Sequence, residues 1–290
     1  MTGVQTCALP ISLNVTTAGP ITDNGALSVA GASTFAAGSA NNITLDNANN
    51  FSSVGITSGN NVVLNDTNAL VLNASTVSGT LNVTTAGAIT QNGTLSVASG
   101  ASTLAAGAAN NITLGDNTNN FASVGITSGN NVVLNDTNDL ALNASTVSGT
   151  LSVTANGAIS DNGDLAVTGA STFAAATGIT LDNANNFSSV NASTTAGNVV
   201  LNDTGDLVLA GVNANTSRAS ISAAGAVTQT GAITAGSLEL TGTGSFTLNN
   251  SGNNVADLAS NTTGALNYTD STALTLGNTV GGTTGITDRK

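Results

Sequence analysis

The string LNVTTAGPITDNG (13–25) returns as LNVTTAGAITQNG (81–93) and again as LSVTANGAISDNG (151–163), so Leu13, Leu81 and Leu151 open equivalent segments. Other strings repeat in step with it. NNITLDNANNFSSVGI (41–56) reappears as NNITLGDNTNNFASVGI (110–126) and as GITLDNANNFSSV (178–190), and residues 56–89 keep 29 of 34 identities with 126–159. NVVLNDT (61–67) recurs at 131–137 and 198–204, and a degraded fourth copy begins near Ile221 with ISAAGAVTQTGAITAGSLEL. Four copies of roughly 69 residues, the mark of a repeat architecture, account for almost all of 12–287. A chain of near-identical tandem units cannot build one irregular core. Each unit must bury its apolar face against its neighbours, which is the logic of a solenoid.

The texture inside each copy is short apolar/polar alternation, as in Leu13-Asn14-Val15, Ile43-Thr44-Leu45 and Leu70-Val71-Leu72. Period two over three to five residues means strands, and Asn-Gly, Ser-Gly and Asn-Asn pairs supply the breaks. Helical spacing is never sustained. About nine short strands are expected in the first copy, near 13–16, 20–22, 26–30, 33–36, 42–45, 52–56, 61–65, 70–73 and 77–83. That count predicts three rungs of three strands, each of roughly 20–25 residues; four rungs of about 17 fit the same length. The fold class is all-β, a single parallel β-helix. A right-handed coil is the general preference for parallel crossovers. Twelve rungs at about 4.8 Å make a rod roughly 55–60 Å long.

Phe51, Phe121 and Phe187 occupy matching repeat positions and read as core stacking. Asn49-Asn50, Asn119-Asn120 and Asn185-Asn186 also match, as do Asn65, Asn135 and Asn202. Amides stacked rung on rung can hydrogen-bond along the axis, and Asn tolerates left-handed backbone at corners. Both readings explain Asn without a ligand.

Composition limits the chemistry. The chain has no His and a net charge of −12, from 15 acidic and three basic residues. Missing His removes the commonest general base and metal ligand. So few basic residues exclude a phosphate-binding surface and hence nucleic acid as a partner. No apolar run approaches the roughly 18 residues of a membrane span. The pairs Asp136/Asp139, Asp161/Asp164 and Asp203/Asp206 have the sequence proximity of glycosidase carboxylates. Their first-copy counterparts, Asp66/Ala69 and Asp23/Ala26, do not keep the pairing, so solvated turns are the expectation and no catalysis is expected. LDNANN (45–50), LGDNTNN (114–120) and LDNANN (181–186) offer one Asp beside several Asn. That is thin for calcium, which takes six to eight oxygens, and Asx turns explain the same residues. Thr is scattered rather than laddered, which argues against an ice-binding face. Arg218 is expected to be exposed, with Asp206 as a candidate partner. No catalytic, cofactor or metal residue is assigned, and no cofactor is expected.

Residues 1–11, MTGVQTCALPI, share no composition with the rest of the chain and hold the only Cys and the only Met. They resemble the translation of a common short-read sequencing adapter, and Asp288-Arg289-Lys290 fit the start of the same adapter on the opposite strand. The segment has neither the basic n-region nor the apolar stretch of a signal peptide. The expected organisation is therefore an adapter-like 1–11, a solenoid repeat domain over 12–287, and an adapter-like 288–290, the whole being an internal slice of a longer chain.

Segments such as NITLDNANN, VSGTLNVTTAGAITQNG and LVLNASTVSGTL resemble the repeats of filamentous haemagglutinin-type exoproteins, and the resemblance covers nearly all of 12–287. It implies a right-handed parallel β-helix secreted across a Gram-negative outer membrane, often by two-partner secretion through an outer-membrane transporter. It further implies adhesion at the cell surface, through weak multivalent contacts with surface glycans or proteins, or presentation of a distal effector. Composition is compatible with export: 12–287 has no Cys, hence no disulfide to hinder threading, and repeats with nearest-neighbour contacts fold rung by rung without an energy source. The low, acidic charge limits sticking to anionic surfaces.

Overall fold

The computed structural model describes residues 12–288. Those residues contain strands and no helix, and 27 strands join one continuous sheet in which every pairing is parallel. Only the hairpin Thr279–Val280 with Thr283–Thr284 is antiparallel. The chain winds into a β-solenoid of about 13 turns, about 60 Å long at the usual strand spacing.

Inward positions are Leu, Val, Ile and Phe, and outward ones Asn, Thr and Ser, as the alternation requires. Strand Val62–Asp66 alternates buried and half-buried along its length. Strands expected to be separate are often continuous. Ser28–Ala36 and Ile43–Ser58 each run through a corner, because the chain turns there by a bulge with the backbone still extended, seen as register shifts at Val29/Ala32 and Leu45/Asn49.

The rung comes out at about 20 residues, the short end of the expectation, and the repeat does not hold a whole number of rungs. Val62 pairs with Leu81, Leu81 with Ser102, Ser102 with Val124, and Val124 with Leu142. Val132, the counterpart of Val62 one repeat later, falls roughly midway between Val124 and Leu142. It lies in the opposite column, which runs Leu70, Ile89, Ile112, Val132, Leu151. One repeat is thus about three and a half turns. Both columns are apolar and buried: Val62, Val124, Leu70, Ile89, Ile112 and Val132 are all 0 % exposed. The cross-section therefore has two similar halves.

The six Phe are all buried. Phe51, Phe121 and Phe187 are core residues as expected but lie too far apart along the axis to stack on one another. Phe51 meets Phe35 edge-to-face at 6.1 Å, and Phe187 meets Phe173 at 5.7 Å. In the second copy Leu104 stands where Phe35 and Phe173 stand in the first and third.

Three serines break the apolar rule. Ser33, Ser102 and Ser171 sit at matching repeat positions, face inward, and have no hydrogen-bond partner for their hydroxyls. An unpaired buried hydroxyl costs about 1–3 kcal/mol. Ser102→Ala is therefore expected to leave stability unchanged or raise it by about 1 kcal/mol. A thermal melt showing a drop of that size or more would mean the hydroxyl has a partner.

Candidate functional site

The residues that recur most faithfully and carry polar chemistry converge at the corners. Asn49, Asn119, Asn185 and Asn253 are each 0 % exposed. Each places its amide oxygen on a backbone N–H one rung below: Leu27 donates to Asn49 at 2.8 Å, Leu95 to Asn119 at 2.9 Å, Leu165 to Asn185 at 2.8 Å and Ile233 to Asn253 at 2.9 Å. Each amide nitrogen donates to a side chain on the rung below. The acceptor is Asp23 for Asn49 (2.8 Å) and Asp161 for Asn185 (2.7 Å), but Gln91 for Asn119 (3.0 Å) and Gln229 for Asn253 (3.0 Å). Copies one and three use Asp; copies two and four use Gln. The alternation follows the half-turn phase, so the carboxylate-held corners lie on one side of the rod and the carboxamide-held corners on the other.

One rung above each Asn, an aspartate closes the corner. Asp66, Asp136 and Asp203 accept the backbone N–H of Phe51, Phe121 and Phe187 at 2.7–2.8 Å, and an N–H two residues further on, from Asn68, Asn138 and Gly205. Asp270 does the same for Val255 and Thr272. These are Asx turns turned inward. Asp66, Asp136 and Asp203 are only 1–2 % exposed, which corrects the expectation of solvated turns.

The six paired aspartates are spent on backbone N–H groups and corner amides. Asp136 and Asp203 serve as just described, Asp161 accepts from the Asn185 amide and from Asp182 N–H, and Asp139, Asp206 and Asp164 accept the N–H groups of Ala158, Ala226 and Ala184. The buried amides do not stack on one another as the sequence suggests, since their copies are half a turn out of phase. Rung-to-rung amide ladders occur outside instead. Asn61 N–H donates to Asn42, and Thr80 N–H to Asn61; Asn131 and Thr150 repeat this above Asn111. Asn65, Asn135 and Asn202 reach carbonyls of the rung below. Left-handed backbone is not why Asn recurs: among the described residues Asn215 alone of the non-glycines has it, at φ 51°.

Burial pushes the Asp66, Asp136 and Asp203 carboxyls up, and the N–H groups of Phe51, Phe121 and Phe187 only partly offset this; the Asp139 and Asp206 charges add to the rise at Asp136 and Asp203. Burial acts on Asp23 in the same sense, but the Asn49 and Asn47 donors outweigh it and hold that carboxyl low. A carboxyl raised in the fold stabilises it below the ordinary carboxylate range, and that contribution is lost as pH rises through the raised value. A lowered one works the other way, and its contribution is lost as pH falls through the lowered value. Lowering the pH from neutral toward the ordinary carboxylate range is therefore expected to raise the melting temperature through Asp66, Asp136 and Asp203, with the carboxyls held low, Asp23, Asp116, Glu239 and Asp270, reversing the trend in stronger acid. Asp136→Asn with Asp203→Asn should flatten that rise. A wild-type melting temperature that falls over this interval would contradict the assignment.

Arg218 is half-buried and pairs with Glu239 at 2.9 Å, not with Asp206. Asp206 is occupied by Ala226 N–H. Glu239 also accepts from Ser220 and from Gly282 N–H. Burial pushes its carboxyl up, but the Gly282 N–H, the Ser220 and Thr283 hydroxyls and the Arg218 charge outweigh that and hold it low. This cluster fastens the antiparallel hairpin onto the rod. Sequence reading missed it, together with Gln91 and Gln229; the Asp/Gln alternation at 23, 91, 161 and 229 was the available signal.

Residues 1–11, 289 and 290, expected from the sequence to be adapter-like, lie outside the described residues; Asp288 ends the strand Ile286–Asp288 beside Thr262. Among the described residues no helix is long and apolar enough to cross a membrane. The corners build rungs, and the chain is a structural β-solenoid of repeats. Residues 4–58, 59–128, 129–194 and 196–262 match a family model described as "Repeats of unknown function (DUF5649)". No curated protein and no solved structure matches the chain.

Proposed function

The chain belongs to this family of repeats of unknown function, and from that premise we propose that it is a shaft segment of a large exoprotein of filamentous haemagglutinin type on the surface of a Gram-negative bacterium. The shaft holds a distal adhesive or effector element away from the cell, and its flank adds weak contacts to surface glycans or proteins that gain avidity by repetition. Export by an outer-membrane transporter belongs to the same reading, as does the absence of catalysis in this segment. So does an adapter origin for 1–11 and 288–290, which sequencing across both junctions in the source DNA tests.

One observation carries the proposal. The polar residues that plug and clamp the corners recur in every copy and are consumed there, as Asn119 and Asp136 are, while Asn50, Asn120, Asn186 and Asn254, which also recur, stay at the surface. The recurring corners are therefore the machinery of length and stiffness. The single basic residue of 12–288, Arg218, is likewise engaged, by Glu239.

Protease shaving of intact source cells tests it. Trypsin is the wrong tool, since Arg218 is its one site in 12–288. A protease that cuts after small apolar residues should release repeat peptides from intact cells. Peptides that appear only after lysis would sink the surface reading.

A further inference from the structure

The repeat and the rung are out of phase, and the mismatch governs any change in copy number. Asn61-Val62 and Asn131-Val132 are identical junctions that open the same VVLNDTN string. Val62 sits on Ile43, and Val132 sits on Ile112, the counterpart of Ile43. Leu81 then covers Val62 as Leu151 covers Val132. Removing residues 62–131 would therefore join Asn61 to Val132 and recreate only contacts the chain already makes. The two halves of the turn are both apolar inside, both closed by a buried Asn and both clamped by a buried Asp. Either half can follow either half.

We propose that each repeat is a half-turn rotary element. Loss or gain of one copy changes the rod by about three and a half turns and swings everything beyond it to the opposite side. Loss or gain of two copies changes it by about seven turns with no swing. At about 4.8 Å per rung, a surface feature encoded once per repeat recurs on one side every ~34 Å and appears on the other side displaced by ~17 Å. A partner that reads such a feature is met from two opposite sides, so one rod can bridge two partner surfaces. Copy-number parity decides which side a distal element faces. The geometry stands apart from the shaft reading; only the consequence for a distal element rests on it.

The inference is tested with paired spin labels in the full chain and in a chain lacking 62–131, both carrying Cys7→Ser. Ser123 and Ala141 are neighbours on adjacent rungs, so labels on Ser123→Cys and Ala141→Cys in the full chain give the reference dipolar broadening. Labels on Ser53→Cys and Ala141→Cys should show none in the full chain. There Ser53 belongs to the column of Val71 and Thr90, and Ala141 to the opposite one. In the shortened chain the same pair should become rung neighbours and match the reference. A folded shortened chain without broadening would overturn the proposal. So would a shortened chain that fails to fold, because the junction introduces no new contact.

Discussion

Gly244→Ala is expected to destabilise the rod by about 2–3 kcal/mol, the scale of forcing an extra carbon into a packed interior. Gly205, Gly225, Gly244 and Gly264 stack on four successive rungs. A Cβ on Gly244 would drive into the Gly225 carbonyl oxygen, and one on Gly264 into that of Gly244. The obstacle is backbone, and Gly244 is itself pinned by its N–H, which donates to Ala223 O at 3.0 Å. Neither side can step aside without breaking a rung. Gly25 supplies the control, since a Cβ there meets nothing within 4 Å. Gly25→Ala should be neutral or stabilising by up to about 1 kcal/mol, through the entropy of the unfolded chain. Denaturant melts of the two variants check the contrast. Equal effects would mean that the glycine column is not a close backbone contact.

The buried asparagines should give the largest losses. Asn119→Leu strips the acceptor from Leu95 N–H, the donor from the Leu114 and Asn135 carbonyls and one partner from each end of the Gln91 amide, which keeps Gly93 O and Asp116 N–H. The unpaired Leu95 N–H, at about 1–3 kcal/mol, together with the bonds lost by the Leu114 and Asn135 carbonyls and by Gln91, amounts to about 3–5 kcal/mol. Substitution by Asp separates the two sides of the rod. At 119 the new carboxylate still accepts from Leu95 and from Gln91. At 49 it would face the Asp23 carboxylate, which Asn49 now approaches at 2.8 Å as a donor. Asn49→Asp should therefore cost more than Asn119→Asp at neutral pH, and recover in acid once the pair shares a proton. Thermal melts at neutral and acid pH distinguish the two. Equal losses at both positions would contradict the alternating Asp and Gln partners.

Strand alternation was legible because a pleated strand presents successive side chains to opposite faces; Leu13–Thr16 and Val62–Asp66 fall within a residue of where the pattern puts them, whereas the strand expected over 77–83 begins only at Leu81, after a bend at 78–79. The merging of Ile43–Ser58 was not legible. Asn47 to Asn50 read as a break, whereas the bulge keeps the backbone extended. Nor did the role of Asn119 show in the sequence. An Asn in a turn and an Asn plugging a core look alike until the N–H it caps, at Leu95, is placed one rung away by the coil. The half-turn phase escaped for a related reason. Alternation says whether Val62 points in or out, but not which residue, Leu81 or another, lies on it in the next turn. Dividing the repeat by the wrong rung length then gave a whole number. The family match supports the repeat unit itself and leaves the exoprotein role as the proposal made above.

One repeat spans about three and a half turns of a parallel solenoid. Asn82 and Ser152 are repeat counterparts, and both face outward. Spin labels on Asn82→Cys and Ser152→Cys, with Cys7→Ser, should be measured in the full chain by pulsed dipolar spectroscopy. Half-turn phasing puts them on opposite sides, separated across the core and by ~17 Å along the axis, for a distance beyond about 25 Å. Three whole rungs per repeat would stack them in one column, roughly 15 Å apart. The long distance is the predicted result, and the short one would contradict the account.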